Sequence, residues 1–219
     1  MALRRESLLP GSVERIAAVF QAAGEALLSA EQRAASLREI LADVAPGRDV
    51  WVFGYGSLMW NPAFNHVETR PARAAGWHRR FCVWNTFGRG TPENPGLTLA
   101  LERGGSCAGL ALRVAAADVE SELGVLWNRE MLTGTYEPRW LRLRSIDGEI
   151  PALSFVANRA HARYAGRLPL PELARRMARA RGPLGAARDY LESTVTELDR
   201  MGARDGAMHA LLRAVQRLG

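Results

Sequence analysis

Between residues 49 and 158 the apolar side chains recur at every second position, whereas the flanking stretches carry the wider spacing of helices. Strands are expected at 50–55, 79–84, 97–101, 108–114, 139–146 and 149–156. Gly104-Gly105 and Asp147-Gly148 supply hairpin turns between neighbouring strands. One helix, 118–131, interrupts the series, with Asp118 as its N-cap and Glu120 and Glu122 in its first turn. Many short strands with a single helix among them imply a small barrel or a strongly curved sheet.

The flanks complete an α+β architecture. Residues 12–44 read as two helices, the first capped by Ser12, separated near Gly24 and ended by Pro46-Gly47. Residues 171–181, 186–201 and 205–218 read as three more. The expected organisation is an N-terminal helical extension over 1–48, packed on a main domain over 49–219 that includes the C-terminal helices.

Composition narrows the function. Of the 219 residues 47% are hydrophobic and 24% charged, which suits a soluble globular domain and excludes a disordered chain or a disulfide scaffold. The net charge is +6, and all 29 basic residues are Arg. Residues 50–155 hold eleven Arg against ten acids, while residues 156–219 hold twelve against six. The excess therefore lies on the C-terminal helices as solvated charge, and no nucleic-acid partner is expected. With no Lys, the chain has no lysine to act as base or to form a Schiff base.

Cys82 and Cys107 form no CxxC pair, and His66, His78, His161 and His209 lack metal-ligand spacing, so neither metal nor cofactor is expected. Acids and Arg interrupt any leader-like apolar stretch near the N-terminus. The longest uncharged run, 50–67, is broken by Gly54, Gly56 and Pro62 and cannot span a membrane. A cytoplasmic protein without a membrane partner is expected.

Three features could carry chemistry. Gly54-Tyr55-Gly56-Ser57-Leu58 ends the first strand, and its two glycines let bare N–H groups approach an anion or a developing oxyanion. An ordinary strand-to-loop turn would look the same. Ser57 is not in a nucleophile elbow, because Met59 stands where the second glycine should be. Glu130 falls on the helix face of Leu123, Leu126 and Trp127, where a carboxylate must be ion-paired or titrate high as an acid–base group does. Arg89, between Gly88 and Gly90, is expected on a mobile loop that presents a guanidinium to a substrate carboxylate. Trp60, Trp77, Trp84, Trp127 and Trp140 read as core.

Val52-Phe53-Gly54-Tyr55-Gly56-Ser57-Leu58-Met59-Trp60-Asn61-Pro62-Ala63-Phe64 resembles the opening motif of the ChaC-type γ-glutamylcyclotransferases. The resemblance continues through Arg79-Arg80-Phe81, Gly90-Thr91-Pro92, Pro95-Gly96 and Asn128-Arg129-Glu130-Met131, then Tyr136 and His161-Ala162-Arg163-Tyr164-Ala165-Gly166. It covers roughly residues 50–200. It implies a small mixed β-barrel flanked by helices, with no cofactor. It also implies a small-molecule substrate, glutathione, whose γ-glutamyl amide is cleaved to 5-oxoproline and cysteinylglycine. By the same resemblance Tyr55, Gly56, Ser57 and Leu58 hold the γ-glutamyl group, Glu130 is the acid–base residue, and Tyr136 and Tyr164 are pocket tyrosines. The residues leave open a cyclotransferase for other γ-glutamyl amino acids or amines, and a non-catalytic Arg-rich nucleic-acid-binding protein. They leave the oligomeric state unspecified.

Overall fold

In the computed structural model, which describes residues 4–22 and 24–218, five strands close into a barrel in the order β1-β3-β2-β4-β5. These are β1 (Val50–Gly54), β2 (Glu68–Asn85), β3 (Gly96–Val114), β4 (Tyr136–Ser145) and β5 (Gly148–Ala157). All neighbours are antiparallel except β1 with β5, joined through Trp51↔Ala152 and Val52↔Leu153, and β3 with β5, which meet at Leu101↔Val156. The barrel is therefore mixed, as the resemblance implied. Val52, Leu112 and Leu153, paired across β1, β3 and β5 on one face of the sheet, are buried, and so are Phe53, Leu99 and Phe155.

The Asp147-Gly148 hairpin forms as expected, with Ser145 paired to Gly148. Gly104-Gly105 does not turn the chain. Residues 97–101 and 108–114 belong to the single long strand β3, and β2 runs beside it from Glu68 rather than starting at 79. Gly104 and Gly105, at φ of 104° and 71°, lie opposite Gly76 at 77°, where the register shifts between Ala75 and Trp77. The glycines thus make a bulge that bends two long strands around the barrel, instead of ending them.

The helices are α1 (Val13–Ala22), α2 (Ala30–Leu41), α3 (Ser57–Trp60), α4 (Val119–Glu130), α5 (Leu170–Arg179), α6 (Ala187–Arg200) and α7 (Gly206–Gln216). Ser29 and Gln32 form a capping box on α2, and Asp205 caps α7 through the Met208 amide. Asp118 makes no side-chain cap on α4. A 3₁₀ turn over Ala116–Asp118 leads into that helix instead. Arg33 of α2 hydrogen-bonds Asn128 of α4 at 3.2 Å, and Arg5 pairs with the buried Glu122 at 2.5 Å, so the N-terminal segment is seated on α4. Among the described residues no helix is long and apolar enough to cross a membrane.

Candidate active site

Strand β1 ends at Gly54 and the chain passes through Tyr55 and Gly56 into the single turn α3. Both glycines are required by close approach. A β-carbon on Gly54 would lie 2.9 Å from Leu58 Cβ, and one on Gly56 would lie 2.7 Å from the Tyr190 hydroxyl. The Tyr55 hydroxyl donates to the Phe155 carbonyl at 2.7 Å, which fixes the start of the loop to β5. From the other side the buried Arg79 donates to the Tyr55 and Ala108 carbonyls, and its Nε stands 3.0 Å from Asp205 at the N-terminus of α7.

Glu130 is the last residue of α4, with its side chain 14% exposed. The Arg129 Nε is 2.9 Å from Glu130 Oε1. The remaining Arg129 nitrogens donate to Ser57 Oγ at 2.7 Å and to the carbonyls of Asn61 and Pro62. One guanidinium thus ties the carboxylate to the glycine-bracketed loop. Desolvation raises the Glu130 pKa, and the Arg129 charge and hydrogen bond oppose that rise without cancelling it. A carboxylate at a helix C-terminus also meets the unfavourable end of the macrodipole.

Three phenols surround this carboxylate. Tyr136 donates to the Leu99 carbonyl at 3.0 Å and lies 3.1 Å from Thr98 Oγ1. The Tyr190 hydroxyl packs close over Gly56, beside Ser57 in the wall of both hollows. Burial, reinforced by the Glu130 charge, raises the pKa of Tyr55, Tyr136 and Tyr190, so all three are neutral donors. Burial likewise pushes the Cys82 and Cys107 thiols up to about 12 and about 11, which leaves neither as a thiolate nucleophile.

Two hollows share a wall here. The inner chamber, about 20 Å³, is walled by Tyr55, Gly56, Ser57, Leu58, Glu130 and Tyr136, together with Leu99, Phe155 and Tyr190. The outer cavity, about 180 Å³, shares Ser57, Glu130, Tyr136 and Tyr190 with it and opens past Arg89, Asn85, Trp60 and Arg163. Arg89 lies between the aromatic faces of Trp60 and Tyr190, 5.9 and 5.5 Å from their centres, and donates to the Ala186 carbonyl at 2.9 Å. Its loop is not built for mobility. The Gly88 and Arg89 amides both bond to Asn85 Oδ1, and a β-carbon on Gly90 would lie 2.3 Å from the Gly96 nitrogen. The glycines let backbone pack on backbone.

The structure therefore brings together all the expected site residues but one. Tyr164 lines neither hollow. Its hydroxyl donates at 2.5 Å to Glu102, a carboxylate that also takes Arg80 and Arg159, and its backbone bridges to Val83. The pocket tyrosine that sequence reading missed is Tyr190, in the apolar stripe of α6 with Leu191, Thr194, Val195 and Leu198, where it reads as core. Arg129 carries no signal in the sequence beyond its place in the Asn128–Met131 motif. Trp60, expected in the core, is a wall of the outer cavity. Among the described residues no three His, Cys, Asp or Glu side chains group as metal ligands.

A closed mixed barrel with a buried carboxylate facing a glycine-bracketed loop defines a protein of the γ-glutamylcyclotransferase fold. The yeast γ-glutamylcyclotransferase specific to glutathione has that fold, with a TM-score of 0.71 over 77% of this chain and 96% of its own, at 20% identity. The chain belongs to the ChaC-like protein family, whose family model matches residues 50–218. It is 44% identical over 201 residues to the glutathione-specific γ-glutamylcyclotransferase of Escherichia coli K12, spanning 91% of this chain and 87% of that one. It is 31% identical over 173 residues to the human glutathione-specific γ-glutamylcyclotransferase 1, spanning 76% and 78%.

Proposed function

We propose that this protein cleaves the γ-glutamyl amide of glutathione by intramolecular attack, giving 5-oxoproline and cysteinylglycine. The observation that carries the reading is that Glu130, desolvated yet ion-paired, lines both hollows together with Ser57 and Tyr190. The names of the E. coli and human relatives supply the substrate.

The inner chamber has room for little more than one water-sized group, so it takes the end of the γ-glutamyl arm while the rest of that arm extends into the outer cavity. The substrate's α-amine then attacks its own γ-carbonyl carbon. A new C–N bond closes the five-membered lactam and the amide bond to the cysteinylglycine nitrogen breaks. Glu130 takes the proton from the amine and returns one to the departing nitrogen, so atoms balance without water or a protein nucleophile. Holding the arm folded back supplies an effective molarity on the order of 10⁵ M or more. The Tyr190 hydroxyl, neutral because burial raises its pKa, donates to the carbonyl oxygen as it gains charge. Arg89, partly desolvated where it lines the outer cavity, takes the glycyl carboxylate.

Purified protein given reduced glutathione should release 5-oxoproline and cysteinylglycine in equal amounts. Absence of both would refute the reading.

A further inference from the structure

The wall of the outer cavity is not made by the barrel alone. Phe20, near the end of α1, lines it together with Arg89 and Arg163 and packs on Phe87 of the Arg89 loop, with ring centres 5.2 Å apart. The next turn brings Glu25 beneath it, the Glu25 amide bonding to the Phe20 carbonyl at 3.0 Å. Glu25 accepts from Thr86 Oγ1 at 3.1 Å and stands 3.4 Å from Arg163, a cavity residue whose Nε is held by the Trp84 carbonyl. The chain is then pinned by the Leu28 amide on the Leu132 carbonyl at 3.0 Å. Phe20 thus lines the cavity directly, and Glu25 reaches it through Arg163.

Neither residue belongs to the segment that defines the family, which begins at residue 50. The alignment with the E. coli enzyme, spanning 91% of this chain, is too long to fit in residues 50–219 and extends into the N-terminal helices. We infer that the N-terminal segment is part of the substrate site: Phe20 and Glu25 complete the subsite for the cysteinylglycine end of the substrate, the part that departs. This rests on the proposed cleavage of glutathione. A γ-glutamyl arm reaching the inner chamber leaves its cysteinylglycine end in the outer cavity, beside an apolar ring and two guanidinium groups. That is the chemistry of a short peptide with a free carboxylate. Phe20 supplies apolar surface beside the cysteinyl side chain. Glu25 is a positioning residue that holds Arg163 and the 84–86 segment at the outer cavity.

The test is steady-state kinetics on glutathione for the full-length wild type and for Phe20→Ala, Phe20→Leu and Glu25→Gln, with thermal melting of each. Removing a contact made alike in ground and transition states raises KM and spares kcat. Phe20→Ala should raise KM by about tenfold, the effect of trimming an apolar subsite, with kcat within about twofold. Phe20→Leu should recover most of the lost affinity, and Glu25→Gln should again act on KM. Unchanged KM in the folded variants, or a fall in kcat that Leu does not restore, would overturn the inference while leaving the wild-type reaction intact. If Phe20→Ala does not fold, Phe20→Leu and Glu25→Gln decide the matter by the same split. A wild type inactive on glutathione would overturn the cleavage reading, and this inference with it.

Discussion

Arg129 and Glu130 are sequence neighbours whose side chains meet head to head, Nε to Oε1 at 2.9 Å, while the same guanidinium reaches across to Ser57 Oγ at 2.7 Å. The arrangement gives one cation two tasks. It favours the ionised form of a carboxylate that burial pushes toward the protonated form, and it sets the distance between that carboxylate and the loop. Desolvation is the larger influence, so Glu130 still holds its proton to a higher pH than an ordinary carboxylate.

Removing the Arg129 charge should therefore shift the acid limb of the pH–rate profile upward. A base acts only when ionised, so kcat/KM falls as pH drops through the raised Glu130 pKa. An opposite charge a few ångströms away shifts a carboxylate by about 1–3 pH units. Arg129→Met should move the limb up by that order, and Arg129→Lys should move it less. An unmoved limb in a folded Arg129→Met protein would show that Glu130 does not set it.

The same shift links to stability with a definite sign. A group whose folded pKa is raised contributes stability that is complete below its unfolded pKa and lost as pH rises through the folded one. Wild type should accordingly lose ground to Glu130→Gln as pH rises from the ordinary carboxylate range into the range where Glu130 ionises. Melting temperatures of the two proteins across that range check this, and a gap that stays constant would count against a strained buried carboxylate.

Tyr190, which lines the inner chamber, and Tyr164, which lines neither hollow, should separate cleanly. Tyr190→Phe removes the hydroxyl proposed to donate to the reacting carbonyl and should lower kcat by about 10²-fold. Tyr164→Phe breaks a hydrogen bond to the buried Glu102, outside the cavity, and should cost stability on the order of 1–2 kcal/mol with kcat and KM unchanged. Comparable kinetic losses in both variants would contradict the placement.

What could be read along the chain was what depends on local pattern. The alternation of apolar residues marks β1, the β4–β5 hairpin and the helix ending in Glu130, and a carboxylate on an apolar helix face signals its own unusual environment. Long-range geometry was hidden. A glycine pair reads as a turn whether it ends a strand or bends one, and only the opposite Gly76 distinguishes the two cases. The glycines beside Arg89 read as freedom, yet they serve contact with Gly96 and Gly182. Tyr190 and Phe20 carry no polar signal on their helices, so nothing in their spacing separates a cavity wall from a core position. The charge excess misleads least when divided by segment, since it lies on the C-terminal helices beyond the barrel strands.

The central claim is that Glu130 moves the proton in lactam formation. Its most direct test is 5-oxoproline release from glutathione by purified wild type and Glu130→Gln, each shown to be folded by its melting curve. Loss of a positioned acid–base group should lower kcat by about 10²–10⁴-fold with the protein intact. A folded Glu130→Gln protein that releases 5-oxoproline at the wild-type rate would contradict the account.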